Sequence, residues 1–69
     1  MPLTFANIGE NHIIRSVQGN TETKRFLENL GFVNGAKVSL VSSINGNVIV
    51  NIKDSRIAID AQMARHIMI

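Results

Sequence analysis

The sequence predicts a small, mainly β domain in which about five short strands close into a strongly bent barrel. Three observations lead to this prediction. Short β-branched runs lie between turn-forming Gly and Asn residues, apolar and polar residues alternate beyond residue 36, and only one segment has helical periodicity. A sheet of this size must close on itself to bury a core and to hide its edges.

The length and composition permit one domain, residues 1–69, with one small core. In a chain of 69 residues, the burial of apolar surface only just exceeds the entropy cost of ordering. Cysteine is absent, which excludes disulfides and thiolate metal ligands. No run approaches the roughly 20 apolar residues that span a bilayer, and the N-terminus has no signal-peptide pattern. We therefore expect a soluble, cytoplasmic protein that depends on efficient packing, self-association or both.

The charge of the chain is weakly positive and dispersed. Seven Lys and Arg residues against five Asp and Glu residues give a net charge of +2, and the only aromatic residues are three Phe. Nucleic-acid-binding proteins usually cluster their positive charge and add aromatic side chains for base stacking. A nucleic-acid partner is therefore not expected from the composition.

Residues 11 to 18, NHIIRSVQ, predict the first strand. The segment is rich in β-branched residues and is followed by turn-forming Gly and Asn. Its alternation is imperfect, because Ile14 and Val17 cannot share one face without a bulge and Ile13 competes with Ile14. The sequence leaves the facing of this strand open.

The next segment, NTETKRFLENLG, predicts the only long helix. Either Asn20 or Thr21 can cap its first turn, and Gly31 can take the left-handed position after its last turn. A helix of about ten residues is unstable alone, so its narrow apolar stripe must lie against the barrel. The stripe is predicted to consist of Phe26, Leu27 and Leu30.

The turn between the third and fourth predicted elements must bring two apolar faces together. A three-residue loop, residues 45 to 47, pairs Leu40 with Ile52. A two-residue turn of Asn45 and Gly46 would instead turn Val50 away from Leu40, because a slip of one residue reverses every side chain. We therefore expect the three-residue loop, although the Asn-Gly dipeptide is the more familiar hairpin turn.

The last third of the chain predicts a second hairpin, one helical turn and a closing strand. A two-residue turn of Asp54 and Ser55 pairs Ile52 with Ile57 and keeps both on the apolar face. Asp60 can then cap a single helical turn, AQMARH. The final residues, IMI, predict the last short strand.

These segments together resemble a known family. Gly9, the first strand, RFLENLGFVNGAKV, RIAID and ARHIMI are similar, over essentially the whole chain, to the FeoA family of small accessory proteins of bacterial ferrous iron uptake. The most specific positions are Arg25, Phe26, Leu27, Leu30, Gly31, Phe32, Gly35, Val38, Ala64 and Ile67. The resemblance implies a small SH3-like barrel with one α-helix inserted after the first strand and a short helical turn near the C-terminus. The same domain type ends iron-dependent repressors, but this chain lacks their helix-turn-helix.

The resemblance also implies a non-enzymatic function. The implied partner is FeoB, the membrane transporter with a cytoplasmic GTP-binding domain, and the implied mechanism is protein–protein contact. No cofactor is implied. Two other functions stay open: a small nucleic-acid-binding barrel, which would bind oligonucleotides in a salt-dependent way, and a ferrous-ion-binding chaperone.

No catalytic or metal-binding residues are predicted. The only histidines, His12 and His66, lie far apart in the sequence, although the first and last strands of a closed barrel can meet. The chain has no Cys, no Ser with a nearby His and acid, and no phosphate-binding loop. Four arginines have no context that marks one as an arginine finger: Arg15, Arg25, Arg56 and Arg65.

Three surfaces are candidate partner-binding sites. Parity places the apolar pair Val41 and Ile49 on the outer face of the sheet. Lys53 and Arg56 flank the predicted second turn and would face each other across the strands, where an acidic partner would relieve their repulsion. The third surface is the exposed side of the helix, with Lys24, Arg25 and Glu28.

Overall fold

A four-stranded antiparallel sheet and a two-stranded sheet make up the computed structural model, which describes all 69 residues. The elements are a 3-10 helix (Leu3–Phe5), β1 (Asn11–Ile13), β2 (Ser16–Val17), α1 (Thr21–Asn29), β3 (Lys37–Ile44), β4 (Asn47–Ile52), β5 (Ser55–Asp60), α2 (Ala61–Ala64) and β6 (Ile67–Met68). The strand order is β1-β3-β4-β5 in the larger sheet, and β2 pairs with β6 in the smaller one. The predicted mainly β fold, with one helix after the first strand segment, is confirmed.

The predicted first strand is wrong in one respect, because it is two strands in two different sheets. β1 pairs with β3, whereas β2 pairs with β6. Between them the N–H of Ile14 donates to the carbonyl of Ala36 at 2.9 Å, and the N–H of Arg15 donates to the carbonyl of Met68 at 2.8 Å. Ile14 is fully buried at this switch. The imperfect alternation of the sequence therefore marks the place where the chain changes sheet, and the strand count rises to six.

Helix α1 begins and ends at the residues that its sequence predicts. Asn20 is the N-cap, since its side-chain oxygen accepts a hydrogen bond from the N–H of Thr23 at 2.8 Å. Gly31 has φ +107°, and the N–H of Phe32 donates back to the carbonyl of Leu27 at 3.0 Å. Of the two caps that the sequence allowed, the structure uses Asn20.

The apolar stripe of α1 is narrower than predicted. Leu27 is fully buried and Leu30 is half-buried, but 48% of Phe26 is exposed, so its assignment to the stripe is wrong. The buried line instead runs through Thr23, Leu27 and Leu30, at positions i, i+4 and i+7. A helix of nine residues touches the barrel only along this line, and Phe26 lies beside it.

The β3–β4 hairpin has the two-residue turn rather than the predicted three-residue loop. Asn45 and Gly46 have φ of 49° and 81°, the positive values that the tight hairpin turn requires. The register shifts between Leu40 and Ser42, which leaves Val41 as a β-bulge. Because of the bulge, Leu40 pairs with Val50 rather than with Ile52 as predicted, and both Leu40 and Val50 lie on the core face. An extra residue in the strand therefore does what the longer loop was expected to do.

The β4–β5 hairpin turns one residue earlier than predicted. Its turn residues are Lys53 and Asp54, with φ of 48° and 65°, and Ile52 pairs with Ser55 rather than with Ile57. Asp tolerates the left-handed conformation, and two positive φ angles match the twist of a hairpin. The pairing is shifted by two residues, which preserves the face, so Ile57 still points to the core.

The C-terminal elements close the barrel as predicted. Asp60 caps α2, since its Oδ1 accepts a hydrogen bond from the N–H of Met63 at 2.7 Å. Beyond β6, the N–H of Ile69 donates to the carbonyl of Met1 at 2.8 Å, which joins the two ends of the chain. No helix of the structure combines the length and the apolar character that a membrane crossing needs.

The core is one cluster that draws on both sheets and all three helices. Burial of each large apolar side chain contributes about 1.5–3 kcal/mol. The thirteen buried residues are Leu3, Ile14, Leu27, Phe32, Val38, Leu40, Val48, Val50, Ile52, Ile59, Ala64, Ile67 and Ile69. Because β3, β4 and β5 turn one face to this core, their other face lies on the surface of the molecule.

Candidate functional site

The side of the four-stranded sheet that points away from the core is called the outer face here. Successive residues of a strand point to opposite sides, so the strand registers arrange the outward residues in rows across the sheet. The first row contains Ile13 and Lys37; the second Asn11, Ser39, Asn51 and Arg56; the third Ser42, Ile49 and Ala58; the fourth Ile44, Asn47 and Asp60.

Three basic residues gather at one end of the outer face, which we call the cationic end: Lys37, Lys53 and Arg56. Lys37 begins β3, Lys53 lies in the β4–β5 turn, and Arg56 pairs with Asn51. All three are exposed. The only ion pair within 4 Å in the chain joins His12 and Glu10, so none of the three has a carboxylate partner. Asp54 is the one acidic residue at this end.

An open groove of about 360 Å³ lies on the outer face at the cationic end. It is lined by Asn11, Lys37, Val38, Ser39, Asn51 and Asp54. At its border, Nε–H of Arg56 donates to Oδ1 of Asn51 at 3.4 Å, while the amide nitrogen of Asn51 has no partner within the chain. The groove therefore offers the ammonium group of Lys37, the carboxylate of Asp54 and free amide and hydroxyl donors, and the guanidinium group of Arg56 lies at its border. Such a set fits a carboxylate or another anionic acceptor.

Lys53 and Arg56 do not face each other across the strands, so this prediction is wrong. Because the turn is at residues 53 and 54, Arg56 lies opposite Asn51 instead. The Lys53 side chain runs over Gly31, where a Cβ would lie 3.5 Å from its Cδ. The ammonium group of Lys53 therefore lies at the C-terminus of α1, where the helix carbonyls carry partial negative charge. The Lys53 side chain thus lies against the end of α1 and does not face Arg56.

The predicted apolar pair on the outer face is less exposed than expected. Val41, the bulge residue, and Ile49, in the third row, are both half-buried. Ile44 in the fourth row is 55% exposed and was not among the sequence candidates. The apolar end of the outer face is defined by Val41, Ile44 and Ile49, at the end opposite the cationic one.

The helix surface is exposed but electrically balanced. Lys24, Arg25 and Glu28 all face solvent, and none of them forms an ion pair within 4 Å. With Glu22 in the first turn, this side of α1 carries two positive and two negative charges. Phe26 adds an apolar side chain here, because it does not pack into the core.

The two histidines lie in different surroundings. His12 lies in β1 opposite Val38, and its Nε2 is shielded from solvent, 3.5 Å from Oε1 of Glu10. The backbone carbonyl of His66 accepts a hydrogen bond from the N–H of Gln18 at 2.7 Å. No three His, Cys, Asp or Glu side chains of the chain lie close enough together to hold a metal ion.

Sequence reasoning missed the residues that line the groove. Asn11, Lys37, Ser39 and Asn51 come from three strands and have no common motif. The signal that could have found them is the strand register, since pairing β1 with β3 and β3 with β4 puts three of them in one row. Both hairpin turns were predicted incorrectly, so the row could not be derived.

Comparison with known proteins assigns the chain to a family. The family model described as the FeoA domain matches residues 1–69. A Methanocaldococcus jannaschii protein with the provisional name Fe(2+) transport protein A is 34% identical over 68 residues, which is 99% of this chain and 83% of that protein.

Solved structures show the same architecture. The crystal structure of an iron uptake regulatory protein (FeoA) has a TM-score of 0.90 at 23% identity, covering 99% of this chain and 92% of that one. The zinc complex of Stenotrophomonas maltophilia FeoA, described as a prokaryotic SH3 domain protein, has a TM-score of 0.87 at 26% identity and covers 99% and 87%. A manganese-dependent transcriptional repressor has a TM-score of 0.87 at 13% identity, with 97% of this chain on 39% of that one. The SH3-like fold is thereby confirmed, and since the family model extends over every residue, the chain belongs to the FeoA family.

Proposed function

We propose that this chain is a non-enzymatic accessory protein of ferrous iron transport, which acts by contact with the cytoplasmic part of a FeoB-type membrane transporter. Membership of the FeoA family over all residues supports the link to ferrous iron. The name of the Methanocaldococcus jannaschii relative points to the same process. The proposal places the chain in the cytoplasm, where such a transporter has its GTP-binding domain.

One observation supports contact as the mechanism: the outer face presents unpaired charged groups at one end and apolar side chains at the other. Lys37 and Arg56 border an open groove, and neither has a carboxylate within 4 Å. Ile44 lies on the same face, 55% exposed. Protein interfaces commonly combine an apolar centre with charged groups that steer the partner and fix its register.

The test is a titration of the ¹⁵N-labelled chain with the purified GTP-binding domain of the transporter from the same organism. Saturable chemical-shift changes are expected, with the domain loaded with either GDP or a non-hydrolysable GTP analogue. An absence of shift changes at several hundred micromolar in both nucleotide states would contradict the proposal.

Two control titrations separate the alternatives that the sequence leaves open. A mixed-sequence oligonucleotide tests the nucleic-acid-binding function, which predicts binding that weakens steeply with salt. Ferrous ion under anaerobic conditions tests the chaperone function, with the ring signals of His12 and His66 as the readout. Binding of either ligand at micromolar concentration, together with no binding of the transporter domain, would replace the proposed function.

A further inference from the structure

We propose that the outer face binds an extended acidic segment of the partner protein, with its carboxylates in the groove at the cationic end and an apolar side chain on the apolar end. The location and chemistry of this site come from the described surface. Only the identity of the partner rests on the proposed function.

The distribution of charge favours this face over the helix. The residues at the cationic end carry an excess of two positive charges: Lys37 and Arg56 project from the outer face and Lys53 runs toward the end of α1, against the single acidic residue Asp54. This equals the net charge of the whole chain, +2. The exposed side of α1 is balanced, as are the remaining charged residues, Glu10, Arg15, Asp60 and Arg65. An anionic partner is therefore attracted chiefly to the cationic end, over a Debye length of about 8 Å at physiological salt.

The chemistry of the groove fits a peptide. Asn11, Ser39 and Asn51 lie side by side in one cross-strand row, and each side chain can both donate and accept a hydrogen bond. Such groups can pair with peptide N–H and C=O groups as well as with carboxylates. Lys37 and Arg56 supply the charge-assisted donors, which are the stronger ones for a carboxylate.

The dimensions fit an extended segment of modest length. From Lys37 at the cationic end to Ile44 at the apolar end, β3 has eight residues. At about 3.3 Å per residue, this distance is roughly 23 Å, which an extended peptide of about seven residues spans. A partner segment with acidic residues in one half and an apolar residue in the other would contact both ends of the face at once.

Other anionic partners fit less well. None of the three Phe residues that could stack on a base lies on this face, because Phe5 is in the 3-10 helix, Phe26 is in α1 and Phe32 is buried. Three cations are also fewer than the four to eight that typically bind an anionic membrane surface. A protein carboxylate is the ligand that the surface favours.

The experiment compares two charge reversals of equal size in the full chain. The doubly substituted variant Lys37→Glu/Arg56→Glu changes the cationic end, and Lys24→Glu/Arg25→Glu makes the same change on α1. All four side chains are exposed, so both variants should fold, which circular dichroism and thermal unfolding verify. The neutral variant Lys37→Gln/Arg56→Gln provides a milder change should the reversal disturb folding.

Affinity for the GTP-binding domain is measured by calorimetry, and a synthetic peptide, acetyl-EDETVTVT-amide, serves as a partner-independent probe.

The proposal predicts a loss of at least about tenfold in affinity for the cationic-end variant and less than about twofold for the helix variant, for the domain and the peptide alike. The side-chain NH₂ signals of Asn11 and Asn51 should shift when the peptide binds. Binding of the domain with equal losses in both variants would overturn this proposal and leave the proposed function standing. Peptide binding without domain binding would support the site but contradict the proposed function. Preferential binding of an oligonucleotide or of anionic vesicles at this face would also overturn the proposal.

Discussion

Gly31 occupies a backbone conformation that other residues rarely adopt. Its φ of +107° lets the chain leave α1 and return to the core within one residue. A Cβ here would lie 3.5 Å from Cδ of Lys53 and 3.7 Å from Cγ1 of Ile52, which are ordinary contacts. The cost of a side chain is therefore in the backbone and not in the space around it.

Replacement of Gly31 by Ala should lower the free energy of unfolding by about 1–2 kcal/mol, because a residue with a Cβ is strained at this φ. Urea denaturation measures the change. Asn29→Ala, at the exposed last residue of α1, is the matched control and should change stability by less than about 0.5 kcal/mol. Equal stability of Gly31→Ala and the parent chain would contradict the described end of the helix.

Asn20 and Thr21 can be distinguished as N-caps by substitution. Asn20→Ala removes the acceptor of the Thr23 N–H and should cost about 1 kcal/mol, whereas Asn20→Asp should retain most of the stability. Thr21→Ala should change stability by less than about 0.5 kcal/mol. Chemical denaturation of the three variants makes the comparison. A larger loss of stability for Thr21→Ala than for Asn20→Ala would contradict Asn20 as the N-cap.

Helix α1 as an element is held to the barrel along one line of side chains. Leu27 is fully buried, so Leu27→Ala should cost about 2–5 kcal/mol. Phe26 is half-exposed, so Phe26→Ala should cost much less, about 1 kcal/mol, although Phe is the larger side chain. Thermal and urea unfolding of the two variants test the orientation of the helix. A reversed order of the two losses would mean that α1 is rotated toward the stripe that the sequence predicts.

The strand elements show how far the sequence alone can go. The inward facing of Leu40, Val50 and Ile57, the end of α1 at Gly31 and the Asp60 cap follow from local rules and were predicted correctly, and the N-cap was narrowed to Asn20 or Thr21. The two hairpin turns were predicted incorrectly. The rule that apolar faces must meet is satisfied by the predicted turns, but it is satisfied equally by a bulge at Val41 and by a turn that begins at Lys53. Several combinations of turn and bulge give that result, and only long-range packing chooses among them.

The candidate site was less predictable than the fold for the same reason. Val41, Ile49 and Arg56 could be placed near the outer face from parity, but the groove depends on which residues of three strands lie side by side. An incorrect register put Lys53 opposite Arg56, although Lys53 lies over Gly31. Cross-strand surface sites require the register itself, whereas a core requires only the alternation.

At the scale of the whole molecule, the excess positive charge comes from residues at one end of the larger sheet, Lys37, Arg56 and Lys53, the last of which runs toward the end of α1. Binding of a carboxylate-rich partner there should weaken as salt rises, because counterions screen exposed charges. For the parent chain, the affinity for the transporter domain measured by calorimetry should fall roughly several-fold between about 50 and about 300 mM NaCl, because salt screens exposed ion pairs. The Lys37→Gln/Arg56→Gln variant should show a much smaller dependence on salt. An equal salt dependence of the two would mean that these cations are not in the contact.

The most direct test of the account is an NMR cross-saturation measurement on the complex of the deuterated, ¹⁵N-labelled chain with the protonated GTP-binding domain of the transporter. The account predicts that saturation reaches the amides of the outward rows in β3 and β4, such as Ser39, Ile49 and Asn51, and spares the exposed side of α1 at Lys24 and Glu28. Saturation confined to α1, with the sheet signals unaffected, would contradict it.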